Sequence, residues 1–204
     1  MSIAAAKQKR NDNYGKRPYG KIGEQVTVIG LGGEALNKHS FTDGVATVRQ
    51  ALELGVNYFV TSPIYAQGAS QAILGEALQG RPEPHLLATK LGYFSRQATF
   101  RTPAALSGQL DDNLRLLRRE PVDVLQVHES DWHNWWSDEP HAETYLRPDD
   151  GYDFANAPVM QFLRAARDEG RCQITGITGN GAANVARRCR PWRWTLSCSR
   201  SITT

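Results

Sequence analysis

The sequence predicts an α/β protein built on a parallel sheet, and three observations point that way. Short apolar, β-branched runs recur along the chain. Stretches with helical periodicity, each about 10–15 residues long, separate them. Polar residues capable of chemistry fall just where the apolar runs end. Taken in order, VTVIGL (Val26 to Leu31), ending in Gly32-Gly33, reads as a buried strand, and the preceding PYGKIGEQ as a hairpin that plugs one end of the sheet. SFTD at Ser40 to Asp43 is a capping box; Val45, Val48 and Leu52 follow at helical spacing, and Gly55 stops the helix. YFVTS (Tyr58 to Ser62) is the second strand, broken by Pro63. Ile73, Leu74, Ala77 and Leu78 line a second helix that stops at Gly80, and LLATK (Leu86 to Lys90) is the third strand. Thr102-Pro103 caps a third helix carrying Leu106, Leu110, Leu114 and Leu117. VDVLQV (Val122 to Val127) is the fourth strand. A polar and aromatic loop runs from about Glu129 to Asn156 and leads to a helix with Val159, Phe162, Leu163 and Ala166 inward; ITGIT (Ile174 to Thr178) is the fifth strand. Two architectures fit this alternation: a (β/α) barrel or an open doubly wound sheet.

At 204 residues the chain suffices for one domain with a sizeable core. It is short for a closed eight-stranded barrel, which typically takes about 250 residues. No apolar run approaches the ~20 residues of a membrane span, and the N-terminal stretch lacks a secretory apolar segment. Residues 1–17 read as a disordered polar tail, and the expected location is cytoplasmic, with no membrane partner. The net charge of +3 conceals an asymmetry. Beyond Glu169 there is no acid, while Arg171, Arg187, Arg188, Arg190, Arg193 and Arg200 follow, together with Cys172, Cys189 and Cys198. The cysteine spacings match no zinc pattern.

Tyr65, Lys90, His128 and Thr178 each follow or close one of four consecutive strands. In a barrel such ends converge on one mouth, where active sites sit. Each residue alone has an ordinary structural explanation; together they make chemical sense. A phenol with a pKa of about 10 is a poor acid at neutral pH. A nearby ammonium stabilises phenolate, and a histidine can hydrogen-bond a developing alkoxide. Such a set suits carbonyl reduction, with the hydride supplied by a cofactor. The histidines His128, His133 and His141 with Asp131 match no standard ligand spacing, so no metal is expected. Gly30-x-Gly32-Gly33, followed by Glu34, is not a dinucleotide fingerprint.

LGVNYFVTSPIYAQGASQAILGEALQG resembles the aldo-keto reductase signature G-x-N-x-x-D-T-[SA]-x-x-Y-G followed by S-E-x-x-L-G. Ala88-Thr89-Lys90 resembles that family's lysine strand, LDDNLRLLRREPVDVLQVH its helix and histidine strand, and GRCQITGITGN its K-I-R-x-I-G-V-S-N segment. The wording is most similar to the sugar (aldose, galactose or fucose) dehydrogenases. The resemblance implies a (β/α)8 TIM barrel, here incomplete, with about five to six βα units over residues 18–186. It implies an NAD(P)H-dependent carbonyl, aldehyde or sugar oxidoreductase, with Tyr65 as general acid/base, Lys90 as its pKa-lowering partner and His128 orienting the substrate. It places Thr178 at the nicotinamide carboxamide and Gly179 where the family has asparagine.

Two departures from the family pattern stand out. The family's aspartate, partner of the lysine, is Val60 here, which implies impaired turnover. The family continues for three more βα units that hold the cofactor phosphates, whereas residues 187–204 read as an aberrant basic tail produced by a frame change or misplaced gene end near Val185. Such a chain is expected to expose sheet edges and to aggregate or pair with another half. A genuine tail binding nucleic acid through Arg, Trp192 and Trp194 is the weaker expectation, so no nucleic-acid partner is assigned. Trp132, Trp135 and Trp136 are candidate walls of a sugar site. The alternative functional reading is a non-catalytic binding or regulatory subunit; a third is an unrelated open sheet with a basic interaction tail.

Overall fold

The computed structural model describes residues 14–20, 22–92, 101–138, 145–147, 149–181, 183, 185–186 and 198–199. The chain opens with a hairpin: β1 (Lys16–Pro18) pairs antiparallel with β2 (Gln25–Thr27), so order begins inside the segment predicted as a tail. A parallel sheet follows in sequence order: β3 (Leu31–Gly32), β4 (Tyr58–Val60), β5 (Leu86–Leu91), β6 (Val122–Val127), β7 (Cys172–Thr178) and β8 (Cys198–Ser199). The helices α1 (Phe41–Glu53), α2 (Ser70–Leu78), α3 (Pro103–Leu117) and α4 (Pro158–Asp168) alternate with the strands. This is the strand–helix progression of a (β/α)8-type barrel.

Capping chemistry sets two of the helix starts. Ser40 Oγ accepts the Asp43 N–H at 3.1 Å and donates to the Asp43 carboxylate at 2.7 Å. Thr102 Oγ1 accepts the Ala105 N–H, with Pro103 at the first helical position.

Alternation in the strands divides the core. Phe59, Leu87, Leu91, Leu125, Val127 and Ile177 face the helices and join Val48, Leu52, Ile73, Leu74, Leu106, Leu110 and Leu163 in one cluster. Val60, Ala88, Val124 and Ile174 point to the other side, the barrel interior, where Tyr19, Ile22 and Tyr58 cover them. Tyr19 comes from the hairpin turn, and its hydroxyl lies 3.1 Å from that of Tyr58 at the start of β4. The hairpin therefore closes the amino-terminal end of the strands, as its sequence suggested.

The predicted strand Val26–Leu31 is two elements. Thr27 is pinned to the residue before β4: Asn57 Oδ1 accepts the Thr27 N–H at 2.7 Å, and Thr27 Oγ1 accepts the Asn57 N–H at 3.2 Å. The hairpin ends there, and Val28 and Ile29 cross the surface, both more than half exposed, before β3 begins. The segment expected to be an aberrant basic tail contributes a strand: Cys198–Ser199 pairs in parallel with Ile177–Thr178 as the sixth strand position. Most of the remaining tail, including Trp192 and Trp194, lies outside the described residues. Among the described residues no helix is long and apolar enough to cross a membrane.

Candidate active site

The mouth is built at the carboxyl ends of β4 to β7. β4 runs into Thr61 and Ser62, then into a 3₁₀ turn, Tyr65–Gly68, that carries Tyr65. The Tyr65 N–H donates to the Ser62 carbonyl at 3.2 Å, and the Ala66 N–H to the Glu34 carbonyl at 3.2 Å. Ala66 and Gln67 are both left-handed, at φ 51° and 54°, a conformation that strains side-chain-bearing residues. Gly33 is required beneath this turn: a Cβ there would meet Ser70 Oγ at 2.1 Å. That serine in turn shares a 2.7 Å hydrogen bond with Thr61 Oγ1.

Lys90 is 1% exposed and points to the barrel interior. Its ammonium donates to the Thr61 carbonyl at 2.8 Å and lies 4.2 Å from the Tyr65 ring centroid. Burial pushes its pKa down to about 7, against the opposing pull of the Glu34 carboxylate. Val60, in register with Ala88, offers it no charge. A buried network supports the lysine strand from behind. The Gln71 amide donates to Thr89 Oγ1 and to Asn113 Oδ1, both at 2.8 Å, and Asn113 donates to the Lys90 carbonyl at 3.0 Å.

His128 follows β6 directly. Its ring meets the Tyr65 ring edge-on, with centroids 5.5 Å apart, and its Nδ1 lies 3.0 Å from Ser62 Oγ. Burial, and secondarily the Lys90 charge, push the imidazole down to about 3, with the Gly92 carbonyl pulling upward. The ring is therefore neutral across the physiological range. Tyr65, Lys90 and His128, distant in sequence, converge as the strand ends suggested.

Thr178 closes β7, but its hydroxyl is engaged inward: it donates to the Val127 carbonyl at 3.1 Å and accepts the Glu129 N–H at 3.3 Å. Gly179 lies against Asp131, whose carboxylate would be 2.4 Å from a Cβ at that position and accepts the Asn180 N–H at 2.5 Å. The space of the family's asparagine side chain is thus filled from the loop after β6. Ser62 is a site residue the sequence did not single out, and Asp131 stood out there only as a metal ligand, a role its spacing did not favour.

The three tryptophans separate. Trp135 is fully buried: its Nε1 donates to the His128 carbonyl at 3.0 Å, and its ring packs on Gly92, where a Cβ would meet it at 2.2 Å. Trp136 is buried against Phe154 and donates to the Ser130 carbonyl at 2.8 Å. Neither can be a sugar-stacking wall, because packing has consumed both faces and the N–H. Trp132 is half-buried and stacks on the exposed Tyr145 at 4.4 Å, so it alone keeps a candidate substrate role. His133 bonds Tyr152 and Asp150, and His141 lies outside the described residues. Among the described residues no three His, Cys, Asp or Glu side chains gather around a metal-sized site.

A cavity of about 450 Å³ lies at the opposite end of the strands, between the hairpin and residues such as Asn57, His85, Asp123 and Gln173. It contains none of the converging triad. The chemistry argues for the mouth.

A parallel (β/α) sheet of barrel type thus brings Tyr65, Lys90 and His128 together at the carboxyl ends of successive strands. The chain belongs to the Aldo/keto reductase family, whose sequence profile matches residues 28–198. L-galactose dehydrogenase of Arabidopsis thaliana is 30% identical over 170 residues, covering 80% of this chain and 48% of that protein. 6-Dehydroglucose reductase of Novosphingobium aromaticivorans is 31% identical over 126 residues, 56% of this chain and 41% of that protein. The chain thus spans about half the length of the curated relatives it matches. Among solved structures, the holo form of an aldo-keto reductase from Bacillus halodurans aligns with a TM-score of 0.68 at 22% identity, covering 91% of this chain and 57% of that one. An aldo/keto reductase from Klebsiella pneumoniae, solved with NADP and acetate, aligns at 0.60 with 20% identity, covering 84% of this chain and 51% of that one.

Proposed function

We propose that this mouth belongs to an NAD(P)H-dependent oxidoreductase acting on an aldehyde or sugar carbonyl, with turnover lowered by Val60. The observation that carries the reading is the convergence of Tyr65, Lys90 and neutral His128 at one mouth. Tyr65 supplies the proton to the carbonyl oxygen. Lys90, when protonated, stabilises the resulting phenolate. His128, neutral, donates a hydrogen bond to the same oxygen without adding charge. A bound nicotinamide supplies the hydride. For its carboxamide end the Asp131 carboxylate beside Gly179 is the acceptor that suits an amide donor, since the Thr178 hydroxyl is already engaged with Val127 and Glu129. Sugar substrates are favoured by the names of the two relatives above and by the Trp132–Tyr145 stack.

The second reading, a non-catalytic binding or regulatory subunit, draws on one observation: Lys90 is tied to a backbone carbonyl instead of a carboxylate. The deciding experiment follows NADPH and NADH consumption with a panel of small aldehydes and aldoses, in parallel with quenching of tryptophan fluorescence by the cofactor. Slow turnover that Tyr65→Phe abolishes supports the enzyme. Cofactor binding with turnover equal to Tyr65→Phe supports the subunit.

A further inference from the structure

Ser62 is fully buried at the junction of β4 and the turn carrying Tyr65. Its Oγ has two partners: the Ile64 N–H at 3.4 Å and His128 Nδ1 at 3.0 Å. A backbone N–H only donates, so toward Ile64 the serine oxygen is the acceptor. The hydroxyl hydrogen is then left with His128 Nδ1 as its acceptor. Were Nδ1 itself protonated, it would donate to Ser62 Oγ, and the buried serine O–H would be left without an acceptor. The serine is satisfied when Nδ1 accepts from it, and the neutral ring then carries its proton on Nε2.

We infer that Ser62 is a positioning residue that fixes His128 as the Nε2–H tautomer, leaving the imidazole a hydrogen-bond donor toward the substrate oxygen. The inference rests on the oxidoreductase reading for its purpose, not for its geometry. The same serine accepts the Tyr65 N–H through its carbonyl. One residue therefore sets the proton donor and the oxyanion donor relative to each other.

The test is long-range ¹H–¹⁵N correlation on the full chain labelled with ¹⁵N-histidine, with His128 assigned by loss of its signals in His128→Gln. At neutral pH the wild-type ring is expected to show the Nε2–H pattern. Ser62→Ala is expected to shift the tautomer ratio roughly five-fold toward Nδ1–H, the equivalent of one net hydrogen bond. Ser62→Thr, which keeps the hydroxyl, is expected to restore the wild-type pattern. An Nδ1–H pattern in the wild type overturns the inference, and so does an unchanged pattern in folded Ser62→Ala. Should Ser62→Ala not fold, the wild-type and Ser62→Thr spectra decide. None of these readouts needs turnover, so an Nε2–H ring in a chain without NADPH-dependent activity would retain the positioning role and remove the enzyme reading.

Discussion

Val60 sits on the interior side of β4, one residue before the carbonyl that holds the Lys90 ammonium at 2.8 Å. Val60→Asp places a carboxylate beside that buried cation. Two unit charges about 4 Å apart at an effective dielectric of about 20 interact by about 4 kcal/mol, the equivalent of about 3 pKa units. Desolvation of the new carboxylate takes back part of this, leaving a rise of about 2 units. Lys90, held at about 7 in the parent chain, is therefore expected to titrate near the ordinary lysine range in the variant. The assay is an NMR titration of ¹³C-labelled lysines, with Lys90 assigned by its loss in Lys90→Met. At pH 7 the parent lysine is about half protonated and the variant almost wholly so. If the parent site turns over, kcat is expected to rise about two-fold at pH 7 and roughly 20-fold near pH 8.5, where the parent lysine is mostly neutral and the variant lysine mostly charged. A Lys90 pKa near 10 in the parent, or one that Val60→Asp fails to raise, refutes the electrostatic reasoning.

The same lysine governs stability against pH. Its folded pKa, about 7, lies below its unfolded value of 10.5, so between those values the unfolded chain binds more protons and stability rises with pH. Lys90→Met is expected to exceed the parent in urea stability at pH 6 by a few kcal/mol, on the order of the shift itself, with the gap closing as pH climbs from 7 toward 10.5. A pH-independent gap would contradict the assigned shift. His128 adds a second rise, from about 3 to 6.5, because its folded pKa is depressed as well; replacing it with Gln is expected to flatten the acid limb of a stability–pH curve. Among the tryptophans, Trp135→Ala is expected to cost about 3–5 kcal/mol on urea denaturation. Trp132→Ala should cost under about 1 kcal/mol and, where turnover is measurable, raise KM for sugars.

The strands that were legible in the sequence are those buried on both faces. Leu86–Leu91 and Val122–Val127 are buried at every position, so a continuous apolar run identifies them without help from alternation. Val26–Leu31 carries the same kind of run but divides, because side-chain bonds between Thr27 and Asn57 end one element before the next begins. No local pattern reports a bond across that distance. The candidate triad was legible because each member follows its own strand. Ser62 was not, because its partner His128 lies 66 residues away and Ser62 reads locally as the last residue of a strand broken by Pro63. The bond from the Asn180 amide to Asp131 was hidden by the same kind of separation. The tryptophan run announced an aromatic loop, but which ring is buried depends on Gly92 and Phe154, contributed by other segments.

The central claim is that Lys90 acts on carbonyl reduction through Tyr65. The most direct test is a double-mutant cycle on kcat for NADPH-dependent reduction of a small aldehyde, using the parent chain, Val60→Asp, Tyr65→Phe and the double variant. The expected result is a rate gain from Val60→Asp that disappears in the Tyr65→Phe background, because the added ammonium character has no phenolate to stabilise. An equal gain in both backgrounds would contradict the claim and leave Lys90 without a catalytic connection to Tyr65.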